Sequence, residues 1–581
     1  MVKYLSILML VVNILSGKVS AQTLIKKPAI DLKVCIMGAP SFPQVEWNDK
    51  NLSELVKLGF NAVQLNIAWG YRPNDEALNL EDVVTLPKEY EFSIDIDSAK
   101  TLRTGERIKK RSEELKKRIA LCKKYKLHTI FHFGAPFVGY PPQEPFDNCI
   151  SNKKTIERYI YLIGEFHKQY PGVDDLLIYT YDQNAWLCSE YGPCKNCHGI
   201  PLPERVSNFV NTLGQTWKKF SPRGTVWWEP WEISAGQVYK TIDLLDSAAV
   251  SLSIHSSIAE VQIAFPADRW FKNVLIKAAE RKIAVLGEAW LGGATEELEP
   301  YINIAVPLAT LGALKAMYNA GKLKGIKEYY GNIPGKEDPN LRMTGIFFNN
   351  PSITDDNALS LLAAPYGKFA KEVSIYWRLT SEAIELYPWD VSWLAREVGR
   401  SDPDHLLSAA ILKGASWQTP SWQSSRRSSF MRTDETNEPN FWMKEDIQLR
   451  FEQAAKKMES AIEMANKIKG KIPMSLTEYF QSSINELSAF RRTTLAYVYH
   501  LRETNLTAMM RNSLEAEEPF NQENLRELKE LLLKDSANMI NSAPINTAIN
   551  LLNENVEKFL KTYFLHTGPT YQKAGWNITS D

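Results

Sequence analysis

The chain has 581 residues, more than a single hydrophobic core normally holds, so at least two domains are expected. Its 68 Lys and Arg residues balance 68 Asp and Glu residues. A chain without net charge carries no electrostatic footprint for nucleic acid or for an anionic membrane, and neither is expected as a partner.

The N-terminus opens with Lys3, a nearly continuous apolar run from Leu5 to Leu15, and the small residues Val19-Ser20-Ala21 ahead of Gln22. This pattern predicts a signal peptide over residues 1–21 and a secreted or periplasmic mature chain. The apolar run is shorter than the roughly 20 residues that span a bilayer, and no later segment is long and apolar enough, so no membrane insertion is expected. An exported chain permits disulfides among Cys35, Cys122, Cys149, Cys188, Cys194 and Cys197.

From Ile30 to about Tyr330 one theme repeats: a short apolar run, a polar loop, then an amphipathic stretch. Eight runs read as strands: Leu32–Met37, Ala62–Ile67, His128–Phe133, Leu176–Tyr181, Thr225–Trp228, Val250–Ile254, Ile283–Leu286 and Gly325–Tyr329. They are short and rich in Val, Ile and aromatics, as strands covered on both faces are. Helical patterns separate them, among them Leu52–Leu58 before the stop at Gly59, Arg111–Tyr125, Asn208–Phe220 and Phe271–Arg281. Eightfold strand–helix alternation predicts an α/β fold, a (β/α)8 TIM barrel over residues 22–360. An open doubly wound sheet fits less well, because no Gly-rich phosphate loop follows the first strand.

After about residue 365 strand patterns vanish. Ile447, Phe451, Ala454, Met458, Ala461, Ala465 and Ile468 recur at spacings of three and four, which is one helix face. Ser475 with Glu478 reads as a capping box opening the next helix, and Asn524–Lys534 and Ile545–Phe564 read as two more. Residues 361–581 are therefore expected to form an all-α helical C-terminal domain. Trp417 to Trp442 reads as a polar, Trp-containing loop between the two regions, either a domain linker or a wall of the site.

In such barrels chemistry sits at the C-terminal strand ends. Strand five closes on Trp227-Trp228-Glu229-Pro230-Trp231-Glu232, strand seven on Leu286-Gly287-Glu288-Ala289-Trp290, and strand eight on Lys327-Glu328-Tyr329-Tyr330. Tyr181-Asp182-Gln183-Asn184-Ala185-Trp186 follows strand four. Carboxylates flanked by aromatics at several strand ends suit glycosidic bond cleavage. One carboxyl must keep a proton for the leaving oxygen; the other attacks the anomeric carbon or activates water. Neighbouring aromatics desolvate the acid and raise its pKa, and they stack on sugar rings. Any one of these acids could instead cap a helix or pair with a Lys. Their concentration at one rim makes Glu288, Glu229 and Asp182 the catalytic candidates, with Glu232 and Glu190 in reserve, while Glu328 has the alternative of pointing into the barrel wall.

Trp69, Trp186, Trp228, Trp290 and Tyr329 offer aromatic faces for a sugar, and His132, Glu232 and His255 offer hydrogen bonds to its hydroxyls. Gln64 and Asn66 near the end of strand two add polar groups. Arg269 in Ala267-Asp268-Arg269-Trp270 either binds an acidic substituent or pairs with Asp268. His132 and His255 have ordinary structural alternatives as well.

On these residues the chain from about 30 to 330 resembles the barrel-type glycoside hydrolases. Val285-Leu286-Gly287-Glu288-Ala289-Trp290 is similar to the strand-seven end that holds the nucleophile in their large retaining clan, which implies Glu288 as nucleophile. The clan carries an Asn-Glu pair after strand four, where this chain has Asp182-Gln183-Asn184, and an acidic pair there in hexosaminidase-like barrels is matched only by Asp182. The resemblance therefore leaves the general acid open between Glu229 and Asp182. A helical domain after the barrel is similar to α-glucuronidases and some hexosaminidase relatives at the level of fold.

After strand four, Cys188, Cys194, Cys197 and His198 fall in one short segment. They read either as a structural zinc site or as disulfides with Cys149 as a further thiol. No cofactor is expected for catalysis. The chain lacks a P-loop, a dinucleotide fingerprint, a G-x-S-x-G elbow and an H-E-x-x-H motif. The expectation is an exo-acting or short-oligosaccharide glycosidase with a carbohydrate substrate. Its rivals are a non-catalytic glycan-binding barrel and a metal-dependent hydrolase or lyase using the Cys188–His198 loop.

Overall fold

The computed structural model describes residues 30–40, 42, 45–67, 76–136, 146–179, 186, 188–230, 233–257, 263, 267–389 and 441–564. The expected signal peptide lies outside them, as do Trp69, Asp182, Glu232 and most of the Trp417–Trp442 segment.

Eight parallel strands close into a barrel in sequence order. They are β1 (Leu32–Ile36), β2 (Ala62–Gln64), β3 (His128–Gly134), β4 (Asp175–Tyr179), β5 (Val226–Glu229), β6 (Val250–His255), β7 (Val285–Ala289) and β8 (Gly325–Glu328). Each overlaps a run expected from the sequence. The barrel closes where Val34 of β1 registers with Lys327 of β8. The expected helices also form: Asp49–Lys57, Gly105–Lys124, Leu202–Phe220 and Arg269–Glu280 are helical, and Gly59 turns at φ +97°. Such a φ is open to Gly and strained for other residues.

Side chains alternate across each strand, which divides the core in two. One set faces the surrounding helices: Cys35, Val63, Phe131, Ile178, Trp228, Ile254 and Ile326 belong to a large buried cluster with helix residues such as Phe166, Phe209 and Met317. The other set fills the barrel interior. Val34, Ala62, Ile130, Leu177, Trp227 and Leu286 form an apolar layer there.

Beyond the barrel the chain is helical, with helices at Asp355–Ala363, Ala370–Leu386, Phe441–Ile468, Met474–Glu515, Gln522–Asn538, Ala543–Glu554 and Val556–Thr562. The stripe expected from Ile447 to Ile468 is buried throughout. Helix Met474–Glu515 is tied to the barrel side: Tyr479 donates to Asp338 at 3.1 Å, and Glu486 accepts from the backbone N–H and side-chain amide of Asn303 at 2.7 and 2.6 Å. The capping box expected at Ser475 and Glu478 does not form. The cap falls two residues earlier, at Pro473, which supplies a fixed φ and no side-chain acceptor. The helix expected over Ile545–Phe564 breaks at Asn555, whose extended backbone lets its side chain accept from the Lys558 N–H and cap a new helix. No described helix is long and apolar enough to cross a membrane.

Candidate active site

Two residues beyond the apolar interior layer, the inward positions turn polar. Ala62 is followed by Gln64, Ile130 by His132, Leu177 by Tyr179, Trp227 by Glu229 and Leu286 by Glu288, and all five of these residues are buried. β6 contributes Ser253 and His255, and β8 contributes Lys327. The C-terminal end of the barrel interior is thus lined with ionisable and hydrogen-bonding groups, where the loops of such barrels gather around a substrate.

Lys327 is the hub. Its ammonium lies 3.2 Å from Glu288 Oε1 and 3.7 Å from Glu229 Oε2, and both Lys327 and Glu288 are fully buried. Ser253 also donates to Glu288 Oε1 in a short hydrogen bond. Glu288 Oε2 has no hydrogen-bond partner among the described residues. His132 Nε2 stands 4.0 Å from Glu229 Oε2, and its ring packs against Tyr179 with centroids 5.0 Å apart. His255 is in register with Glu288 across β6 and β7 and stacks on Trp270 at 5.3 Å.

Burial first, and the adjacent Glu288 carboxylate second, push the Glu229 carboxyl up to about 8, against the pull of Lys327. A carboxyl desolvated beside a like charge keeps its proton at neutral pH. Burial works against the Lys327 ammonium, but Glu229 and Glu288 outweigh it, and its pKa rises. Lys327 therefore stays charged.

Two expected catalytic residues, Glu229 and Glu288, come together, and Asp182 lies outside the described residues. Glu328 points away from this cluster and fastens two loops. Its carboxylate accepts from the backbone N–H groups of Leu291 and Tyr330 and from the Asn332 amide, at 2.8, 2.9 and 3.0 Å. Burial pushes it up to about 8 while those backbone donors pull the other way. Glu190 is partly exposed in the Cys-rich segment.

Among the expected sugar contacts, His132 and His255 line the interior, and the aromatics divide differently. Trp228 sits on the helix-facing side of β5, as alternation requires once Glu229 faces inward. Trp186 is buried, donates to the Ala135 carbonyl and packs edge-on to Phe209. Trp290, just past the end of β7, is buried, and its indole N–H has no hydrogen-bond partner among the described residues. The Tyr329 hydroxyl is engaged with Thr295 and Glu297, which locks the segment after β7. All four side chains are buried. Arg269 is exposed on the first turn of its helix, while Asp268 caps that helix by accepting from the Phe271 N–H at 2.8 Å. Asn66 ties β2 to β3 through the backbone of His132, and the Gln64 amide donates to the Asn66 carbonyl.

Sequence reading missed Lys327 and Ser253. Alternation held the signal for Lys327: with Glu328 turned outward, its neighbour must face in. A charged cleft between helices Met474–Glu515 and Gln522–Asn538, lined by Arg502, Glu527 and Lys534, shares no residue with this cluster.

In the Cys-rich segment, Cys188, Cys194 and Cys197 are joined by Cys149, and the four sulfurs lie within 4.8 Å of one another. His198 is not in that group; its exposed ring bonds the Gly192 carbonyl at 3.1 Å. None of these cysteines is in a disulfide.

No family model matches the chain, and no curated protein does. Solved structures match it. A GH138 enzyme targeting pectin rhamnogalacturonan II aligns over 94% of this chain and 65% of its own, at 11% identity and a TM-score of 0.55. This chain therefore spans just under two thirds of that protein. The GH84 structure CpGH84B aligns over 92% of this chain and 77% of its own, at 10% identity and a TM-score of 0.41. A GH5-4 broad specificity endoglucanase from an uncultured bacterium aligns over 58% of this chain and 96% of its own, at 10% identity and a TM-score of 0.34. The first of these shows a shared fold, and the closed eight-stranded barrel is the part of it that carries the polar cluster.

Proposed function

We propose that the protein is a retaining glycosidase in which Glu288 is the nucleophile and Glu229 the general acid and base. One observation carries the reading: two buried carboxyls at the C-terminal barrel end share one ammonium, and burial beside Glu288 pushes Glu229 up to about 8. Glycoside cleavage needs that asymmetry of one proton donor and one ionised partner. Both carboxyls reach the one ammonium, Glu288 at 3.2 Å and Glu229 at 3.7 Å, which favours the close spacing of roughly 5–5.5 Å found in retaining pairs over the wider spacing of inverting ones.

In the first step Glu288 Oε2 bonds to the anomeric carbon as the bond from that carbon to the leaving oxygen breaks, and the Glu229 proton passes to that oxygen. In the second, Glu229 takes a proton from water, the water oxygen bonds to the anomeric carbon, and the bond to Glu288 breaks. Lys327 and Ser253 hold Glu288 Oε1 throughout, so the other oxygen is the one left to react. His132 and His255 are placed to bind hydroxyls of the sugar. Exo action and export belong to the same proposal; export rests on the pattern from Lys3 to Ala21.

The test is a glycan hydrolysis screen with product stereochemistry followed by NMR, run beside Glu288→Gln. Retained anomeric configuration and loss of turnover in a folded variant are expected. Inverted product would overturn the retaining assignment, and undiminished turnover in Glu288→Gln would remove the nucleophile.

A further inference from the structure

We propose that Cys149, Cys188, Cys194 and Cys197 form a structural zinc site that staples the segment after β3 to the segment after β4. Four sulfurs each about 2.3 Å from a tetrahedral ion stand about 3.8 Å apart. Cys149 Sγ lies 3.8 Å from Cys194 Sγ and also 3.8 Å from Cys197 Sγ. A disulfide needs about 2.05 Å and would draw Cys149 to one partner and away from the other. Equal spacing to two sulfurs, with a fourth in the same group, is the pattern of shared coordination.

The surroundings agree. The four cysteines and Phe146 form a small buried cluster of their own, separate from both barrel cores. Four thiols offer little apolar area to hold two segments together, whereas a metal bound by four thiolates supplies strong bonds. Local backbone shapes the ligand set: Cys149 closes a turn on the Phe146 carbonyl at 3.1 Å, and Cys197 and His198 both donate to the Cys194 carbonyl, at 3.0 and 2.9 Å. Arg205, buried, donates to the Cys188 carbonyl at 2.6 Å and to the Ile200 carbonyl at 2.9 Å, bracing the loop from both ends. Its fixed positive charge partly offsets the site, since four thiols and one zinc ion give a doubly negative centre and release four protons. With four protein ligands the ion has no open position for water, so the role is structural and separate from hydrolysis. Cys35 and Cys122 lie in the barrel and its helix layer, outside the group.

The experiment is elemental analysis of the purified full chain, with cobalt substitution and intact mass under non-reducing denaturing conditions. One zinc per chain is expected, and cobalt should give the intense visible absorption of tetrahedral thiolate coordination. Cys149→Ser should lose stoichiometric zinc, and His198→Ala should keep it. Should Cys149→Ser fail to fold, the cobalt spectrum of the unaltered chain decides. Two disulfides, seen as a mass lower by four hydrogens with no metal, overturn the proposal. So do four alkylatable thiols in a chain that takes up neither zinc nor cobalt, and so does zinc lost from His198→Ala but kept in Cys149→Ser.

Discussion

Lys327 and Glu288 are register partners on adjacent strands, and their side chains meet inside the barrel at 3.2 Å with no exposure to solvent. Burying three ionisable groups together is costly unless their charges cancel. One ammonium cancels one carboxylate. Glu229, 3.7 Å from the same ammonium, is then left as the neutral acid, which agrees with the direction in which burial and Glu288 drive it. A single cation thus sets the two carboxyls apart electrostatically, as the proposed mechanism requires.

The first prediction concerns pH. In the proposed mechanism Glu229 acts with its proton on, and its folded value is raised from 4.5 to about 8. Activity expressed as kcat/KM should be level through neutral pH and fall about tenfold per pH unit above that value, since this ratio reports the free enzyme. Glu229→Gln should lower turnover by roughly 10²–10⁴-fold and abolish that alkaline fall. An alkaline limb that persists unchanged in the residual activity of Glu229→Gln would assign it to another group.

A second prediction tests charge balance. Lys327→Met removes the cation and leaves Glu288 buried without its counter-charge, which should cost about 3–5 kcal/mol in urea unfolding. Adding Glu288→Gln removes the stranded charge, so the double variant should regain much of that loss. Simple additivity of the two single losses would mean that the pair is not coupled through its charges.

How much of this could be read in advance depends on the range of the signal. Strand identity is local, and all eight strands lie where apolar runs stand. Glu229 and Glu288 are legible because a strand end is a position in sequence. Lys327 is not, because Lys327-Glu328 offers two charges on opposite faces and only the register with β7 shows which one looks inward. The aromatics mislead for the same reason: Trp228 stands beside Glu229 in sequence and on the other face of the sheet. His198 follows Cys197 directly, yet its ring turns to Gly192, while Cys149 arrives from the segment before the preceding helix. Contacts between successive β–α units depend on barrel closure, which no short window of sequence encodes.

A third prediction follows from Gly287, which lies on the helix-facing side of β7 next to Glu288. A Cβ there would stand 2.5 Å from Met317 Sδ, 3.1 Å from Met317 Cγ and 3.3 Å from Leu323 Cδ2. Met317 is itself fully buried, so it has little space to move into. Gly287→Ala should destabilise by about 1–3 kcal/mol through overpacking. Gly287→Ala with Met317→Ala should be less destabilised than the sum of the two single changes. A neutral Gly287→Ala would mean that the Met317 side chain yields freely.

The last prediction lies at the opposite end of the barrel, where stability and chemistry separate. His128, the first residue of β3, bonds Asp175 Oδ2 through Nε2 at 2.8 Å, and Trp227 donates to the same oxygen at 2.8 Å. Burial lowers the His128 pKa, but Asp175 and then Asp174 outweigh it, and the folded value is raised above 6.5. A raised histidine favours the folded state while it is protonated. Its contribution is therefore complete below the unfolded value and is lost as pH rises through the folded one. The melting-temperature gap between the native chain and His128→Gln should be widest under acid conditions below pH 6.5 and should close toward alkaline pH, while turnover stays unchanged because the residue is remote from Glu229 and Glu288. A gap that is flat with pH, or that widens as pH rises, would mean that the His128–Asp175 bond is made by neutral imidazole and carries no charge-linked stability.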